Sequence, residues 1–187
     1  MNIVAASTDL RDRLRAGFAW RGDRGAEHLK ADVTGWWRDP ALLRDLGTAL
    51  ADLVREQRPT VVLGLPSRGV LLGALVACEL DVGLVEARKN ANPAADSDAW
   101  LTATTPPDYR DRHLQLGFRR ALVQPRDRVV LVDDWIDTGG QALGAQQLVT
   151  AAGATWLGAA VIVDALVEHR VRRALGVRSL LHERDLG

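Results

Sequence analysis

The chain has 187 residues, 47% hydrophobic and 26% charged, enough apolar matter for one buried core at the charge content of an ordinary globular domain, about 25%. Lys+Arg and Asp+Glu both number 24, a formal net charge of zero, so the balance lacks the basic excess of a nucleic-acid or membrane-surface binder. A lone cysteine, Cys78, excludes an intrachain disulfide; no apolar run reaches the roughly 20 residues of a membrane span, Met1–Leu10 lacks the pattern of a signal peptide, and the expected location is the cytoplasm.

Residues 1–38 are mixed and arginine-rich, with a loop-like centre at Arg21–Gly25. Asp39-Pro40 predicts a helix start, with Asp as cap and Pro at the first helical position. Leu42, Leu43, Leu46, Leu50, Leu53 and Val54 follow at helical spacing, and Pro59 marks the expected stop. Val61–Leu65 has the composition of a buried strand. Pro66–Gly69 is a turn, Val70–Leu80 a helix and Val82–Ala87 a second strand. A strand–helix–strand unit of this kind predicts a parallel sheet.

Residues 89–108 are small, polar and Pro-rich, without periodicity. Such a stretch is expected as a mobile loop over a site, or as a passive surface insertion. Arg112–Val123 predicts one or two strands, and Arg128–Asp134 is the clearest strand in the chain. A helix opens at Gly139-Gly140 and closes at Gly153. Trp156–Asp164 is a further strand, Glu168–Leu175 a short helix ended by Gly176, and Val177–His182 a last strand. One α/β domain over 1–187 is the expected organisation. Trp36 and Trp37 read as core or subunit-contact residues. The four histidines, His28, His113, His169 and His182, lack metal-ligand spacing.

The stretch Val129–Gln141 carries the chemistry. An apolar strand runs into Asp133-Asp134, then a turn, then Thr138-Gly139-Gly140 and a helix. In open parallel sheets, ligands bind at the carboxyl ends of strands. Glycines there let backbone approach a ligand, and the helix start, with unpaired N–H groups and partial positive charge, suits a phosphate. Thr138 adds a hydroxyl donor. Carboxylates beside a phosphate need another partner, which sugar hydroxyls or a ligand-borne Mg²⁺ supplies. Phosphate on one side and diol acceptors on the other describes a ribose 5-phosphate.

Val129-Val-Leu-Val-Asp-Asp-Trp-Ile-Asp-Thr-Gly-Gly140 resembles the signature with which type I phosphoribosyltransferases bind 5-phosphoribosyl-1-pyrophosphate (PRPP). Further segments resemble the adenine phosphoribosyltransferase-like branch: Asp32-Val-Thr34 with Asp39-Pro40, Leu63–Gly69, Arg88-Lys89 and Arg172–Leu181. The resemblance implies a mostly parallel central sheet flanked by helices, with a small hood from about 15–38 plus the C-terminal strand. It implies transfer of ribose 5-phosphate from PRPP-Mg²⁺ to a purine or purine-like base with release of pyrophosphate, as in purine salvage, by a homodimer.

Residue by residue, the resemblance places Asp133 and Asp134 on the ribose or Mg²⁺, with no other direct metal ligand. Asp137, Thr138, Gly139, Gly140 and Gln141 fall on the 5′-phosphate. Ser67, Arg68, Gly69, Arg88 and Lys89 fall on pyrophosphate, with Arg88 acting from a neighbouring subunit. Arg68 and Lys89 would stabilise the leaving group, a catalytic role. Lys30 and Trp135 fall in the base pocket, Lys30 where that branch has a stacking aromatic. Gln141 replaces a common Thr, and Pro66 replaces a Glu. The branch's loop glutamate has no counterpart near Tyr109.

Asp137 stands where adenine enzymes have Ala and enzymes for 6-oxopurines have Asp. It reads as a general acid/base at the purine N7, or as a helix cap. The base therefore stays open between adenine, a 6-oxopurine and a modified base. An alternative function also stays open: a regulatory PRPP- or nucleotide-binding protein with weak turnover on the same fold. No helix-turn-helix pattern in 1–38 supports nucleic-acid binding.

Overall fold

A computed structural model describes residues 3–22, 29–89, 99–106 and 113–187. Helix α1 (Ile3–Ala16) leads into a hairpin of β1 (Ala19–Arg21) and β2 (Lys30–Asp32), and α2 (Gly35–Arg38) precedes α3 (Pro40–Asp52). The unit β3 (Val61–Gly64), α4 (Arg68–Leu80), β4 (Gly83–Glu86) follows. Next come β5 (Arg88–Lys89), β6 (Trp100–Thr104) and β7 (Gln115–Arg119). The chain then runs through β8 (Arg128–Ile136), α5 (Gly140–Ala151), β9 (Thr155–Asp164), α6 (His169–Leu175) and β10 (Val177–His182).

The central sheet has the order β10-β9-β8-β3-β4, and every pairing in it is parallel. Its strands are apolar on both sides because both faces are covered. Val62, Val130 and Val132 point into a core with α1, α3 and α4. Their neighbours Val61, Leu63, Val129 and Leu131 point into a second core, with α5 and the β6–β7 pair. β5, β7 and β6 form a separate antiparallel sheet.

Asp39 caps α3 as the sequence predicts: its Oδ1 accepts from the Ala41 and Leu42 N–H groups at 2.8 and 3.2 Å. The stop comes earlier than Pro59, since α3 ends at Asp52 and the chain leaves through a 3-10 turn, Arg55–Gln57. Two further expectations need correction, and one helix lies where the sequence marked no element. The arginine-rich N-terminal region contains α1, which buries Leu10 and Leu14 and ties Arg13 to Asp45 and Asp9. The aperiodic stretch 89–108 contains β6, held by its pairing with β7, while residues 90–98 and 107–108 of the expected loop, with Tyr109 and His28, lie outside the described residues. The last strand, β10, is an edge of the central sheet and not part of the hood. What reaches the hairpin is the segment after β10: Trp20 Nε1 donates to the Gly187 backbone oxygen at 2.8 Å, and Arg15 Nε to Asp185 O at 3.0 Å.

Trp36 is wholly buried, and its indole N–H donates to Leu14 O at 2.8 Å, which ties α2 to α1. Trp36→Ala is expected to lower stability by about 3–5 kcal/mol, the usual loss for a buried Trp, read as a shifted urea midpoint at unchanged slope. None of the described helices is long and apolar enough to cross a membrane.

Candidate active site

The topology decides where the site lies. β3 and β8 are neighbours, but β3 passes through α4 to β4 on one side while β8 passes through α5 to β9 on the other. The two helices lie on opposite faces, so the strand order reverses between β3 and β8, where a crevice opens beyond the carboxyl ends. A cleft of roughly 1030 Å³ occupies that position.

One end of the cleft is the β3–α4 turn. Ser67 and Arg68 line it at the start of α4, after a cis Pro66–Ser67 peptide. Gly69 is buried directly behind: a methyl group there would stand 2.7 Å from Asp133 Oδ1 and 2.8 Å from Val132 O. Only glycine lets α4 come this close to β8. Lys89, on β5, lines the cleft from the side. Arg88 does not; it pairs with Glu86 at 3.0 Å and lies over the Trp100 ring.

The other end is the turn from β8 to α5. Asp137, Thr138, Gly139, Gly140 and Gln141 all line the cleft. Gly139 takes the left-handed conformation (φ 77°) that the turn requires. Thr138 Oγ1 accepts from the Gly140 N–H at 3.3 Å, and Asp137 makes no cap bond to α5, so the capping alternative for Asp137 is not what the structure shows.

Asp133 and Asp134 stand between the two turns. Burial, and then the charge of Asp134, push the Asp133 carboxyl well above the usual carboxylate range, while Lys89 pulls it down. Asp133 Oδ1 also accepts from the Asp134 N–H at 2.9 Å. Arg68 Nε lies 2.9 Å from Asp134 Oδ2, yet that buried oxygen has no aligned hydrogen bond among the described residues. The contact is thus an ion pair without a directed donor. Among the described residues no group of three or more His, Cys, Asp or Glu side chains could hold a metal. Two carboxylates fit the way Mg²⁺ is usually taken, through one or two protein oxygens plus substrate phosphates and water.

At the hairpin end, Lys30 and Trp135 line the cleft as the sequence reading expects, but Trp135 is committed to an aromatic cluster. It stacks on Phe18 at 6.1 Å and meets Trp20 edge-on at 6.2 Å. Trp20 and Glu183 also line the cleft and are absent from the sequence reading. The Glu183 carboxyl is raised by burial and then by the nearby charge of Asp137. No local pattern marks either residue, since the hairpin and the segment after β10 meet only in the fold.

The sequence pattern of the phosphoribosyl transferase domain matches residues 38–183. The chain belongs to that family. Adenine phosphoribosyltransferase of Acidovorax sp. (strain JS42) is 38% identical over 135 residues, 71% of each chain. Xanthine phosphoribosyltransferase of Geobacillus thermodenitrificans is 30% identical over 142 residues, 75% of this chain and 73% of that one. The structure of adenine phosphoribosyltransferase from Trypanosoma brucei, solved with AMP, pyrophosphate and ribose-5-phosphate, is similar at a TM-score of 0.77 and 28% identity, over 95% of this chain and 81% of that one. The resemblance read from the PRPP signature is therefore correct, and this phosphoribosyltransferase has the parallel α/β architecture that it implied.

Proposed function

We propose that this phosphoribosyltransferase moves ribose 5-phosphate from PRPP to a ring nitrogen of a purine in the cleft between β3 and β8. The observation that carries the reading is the convergence of two anion-ready turns, Ser67–Gly69 and Thr138–Gly140, on the Asp133–Asp134 pair. The backbone and hydroxyl groups from Thr138 to Gln141 receive the 5′-phosphate at the start of α5. Asp133 and Asp134 take the ribose hydroxyls or the Mg²⁺ that PRPP carries. Mg²⁺, when bound, supplies charge neutralisation to the pyrophosphate.

Ser67, Arg68 and Lys89 hold that pyrophosphate by charge-assisted hydrogen bonds. They gain strength as the bond from the ribose C1 to the leaving oxygen breaks and negative charge moves onto it. The new bond joins C1 to the purine nitrogen. Asp137, at the edge of the cleft and free of a capping duty, accepts the proton that nitrogen releases or exchanges one at the neighbouring ring nitrogen. Lys30 and Trp135, with Trp20, wall the base. Arg88 stands outside its own cleft, so a part for it belongs to a homodimer in which a second copy presents it. The expected location is the cytoplasm.

The test is pyrophosphate release from PRPP and Mg²⁺ with adenine, hypoxanthine, guanine and xanthine in turn. Release with one purine, abolished by EDTA and restored by excess Mg²⁺, is the expected result. Tight PRPP binding with no release for any base would overturn it in favour of a regulatory binding protein.

A further inference from the structure

Behind the Thr138–Gly140 turn, outside the cleft, stands a buried ion pair that the proposed chemistry does not use. Asp164 ends β9 with only 2% of its side chain exposed. It lies beside the last residue of β8, paired with Ile136, and the Ala165 N–H donates to Ile136 O at 2.8 Å. Arg172 Nε donates to Asp164 Oδ2 at 2.6 Å and its Nη2 to Oδ1 at 3.2 Å. The pair also grips the backbone of Leu166 at both ends: Asp164 Oδ1 accepts the Leu166 N–H at 2.9 Å, and Arg172 Nη2 donates to Leu166 O. His169 Nδ1 lies 2.9 Å from Arg172 Nη1, and His182 Nδ1 3.7 Å from Asp164 Oδ2.

The grip bears on Gly139. A methyl group at that position would meet Val171 Cγ1 at 2.8 Å, and Leu166 Cδ2 and Leu175 Cδ1 at 3.3 Å each. Leu166, Val171 and Leu175 thus form a close-packed floor under the left-handed residue of the turn. Leu166 is fixed by the ion pair, and Val171 and Leu175 share the helix of Arg172. Asp164, Leu166 and Arg172 themselves do not line the cleft. Breaking the pair lets the floor move, which leaves the Gly139 backbone held from the α5 side alone, where its oxygen accepts from the Leu143 N–H at 2.9 Å.

We infer that Asp164 and Arg172 are a positioning pair that holds the Thr138–Gly140 turn in its anion-receiving shape and so sets affinity for the 5′-phosphate without touching it. The inference rests on the reading of that turn as the phosphate site. Arg172→Lys keeps a positive charge but cannot span Asp164 and Leu166 O together, because an ammonium is a single compact head rather than a fork. Asp164→Asn keeps an acceptor for Leu166 N and loses the charge.

The experiment compares binding of ribose 5-phosphate and of inorganic pyrophosphate, both with Mg²⁺, by calorimetry on the unsubstituted protein, R172K and D164N. Either folded variant is expected to bind ribose 5-phosphate roughly tenfold more weakly, the scale of losing one hydrogen bond to a charged group, with pyrophosphate affinity unchanged. A merely structural pair would lower the melting temperature and leave that ratio alone. Equal weakening of both ligands, no change in either, or unfolding of both variants overturns the inference while leaving the site reading intact. An unsubstituted protein that binds neither ligand overturns both.

Discussion

Gly69→Ala is expected to lower kcat by about 100-fold. The added methyl group would stand 2.7 Å from Asp133 Oδ1 and 2.8 Å from Val132 O. The second of these is the backbone of a central strand, hydrogen-bonded to β3 on one side and β9 on the other, so β8 cannot retreat. The start of α4 must therefore lift away and carry Ser67 and Arg68 from Asp133 and Asp134. A displacement near 1 Å at reacting groups costs about 100-fold in rate, and the overpacking itself costs about 1–3 kcal/mol of stability. Steady-state pyrophosphate release and a urea titration check both parts. Gly73→Ala, one turn further along α4, is the control: its methyl group would press chiefly on the movable tip of Leu84 at 2.9 Å, and kcat is expected to stay within about threefold, since a side-chain tip yields at little cost. Equal loss in both variants would mean that close approach at Gly69 has no special bearing on the site.

Arg68→Ala removes the guanidinium that the proposed function assigns to the leaving group, and is expected to slow turnover. Its side chain is 45% exposed while Asp134 is 8% exposed, so the arginine has room to turn from the carboxylate toward a ligand. The loss of one donor aimed at developing charge lowers kcat by about 100- to 1,000-fold. Arg68→Lys restores the charge but not the two-pronged donor, and its kcat is expected between the alanine variant and the native protein. Single-turnover pyrophosphate release separates this from an effect on PRPP affinity. A kcat unchanged in R68A would remove Arg68 from the catalytic residues and leave it as the counter-charge of Asp134.

The central sheet was legible because its strands are buried on both faces, which forces continuous runs such as Val129–Val132. The turn after β8 was legible for a related reason: a carboxylate pair, a hydroxyl and two glycines follow one another within a few residues. Elements made by distant partners were not legible. β6 is an unremarkable Trp-Leu-Thr-Ala-Thr between polar, Pro-rich neighbours, and becomes a strand only by pairing with β7. α1 is weakly amphipathic, and it attaches through partners distant in the sequence: Leu10 and Leu14 enter the core, the Trp36 N–H donates to Leu14 O, and Arg13 pairs with Asp45 in α3. Trp20 and Glu183 enter the cleft from opposite ends of the chain. β10 joins the edge of the central sheet and not a hood, and its composition, Val-Arg-Ser-Leu-Leu-His, suits a sheet edge and an outlying strand equally well.

The switch in strand order has a mechanical side. The turn at Ser67–Gly69 belongs to the first half of the sheet and the turn at Thr138–Gly140 to the second, and the halves meet where the four residues of β3 pair with β8 and where α4 packs on β8. A ligand that reaches from one turn to the other acts as a clasp across this seam. Occupancy therefore selects the closed seam over any partly opened one, and the free energy of binding is added to whatever holds β3 against β8. On the proposed reading, the molecule consumed in the reaction would, while bound, be part of what holds the two halves together.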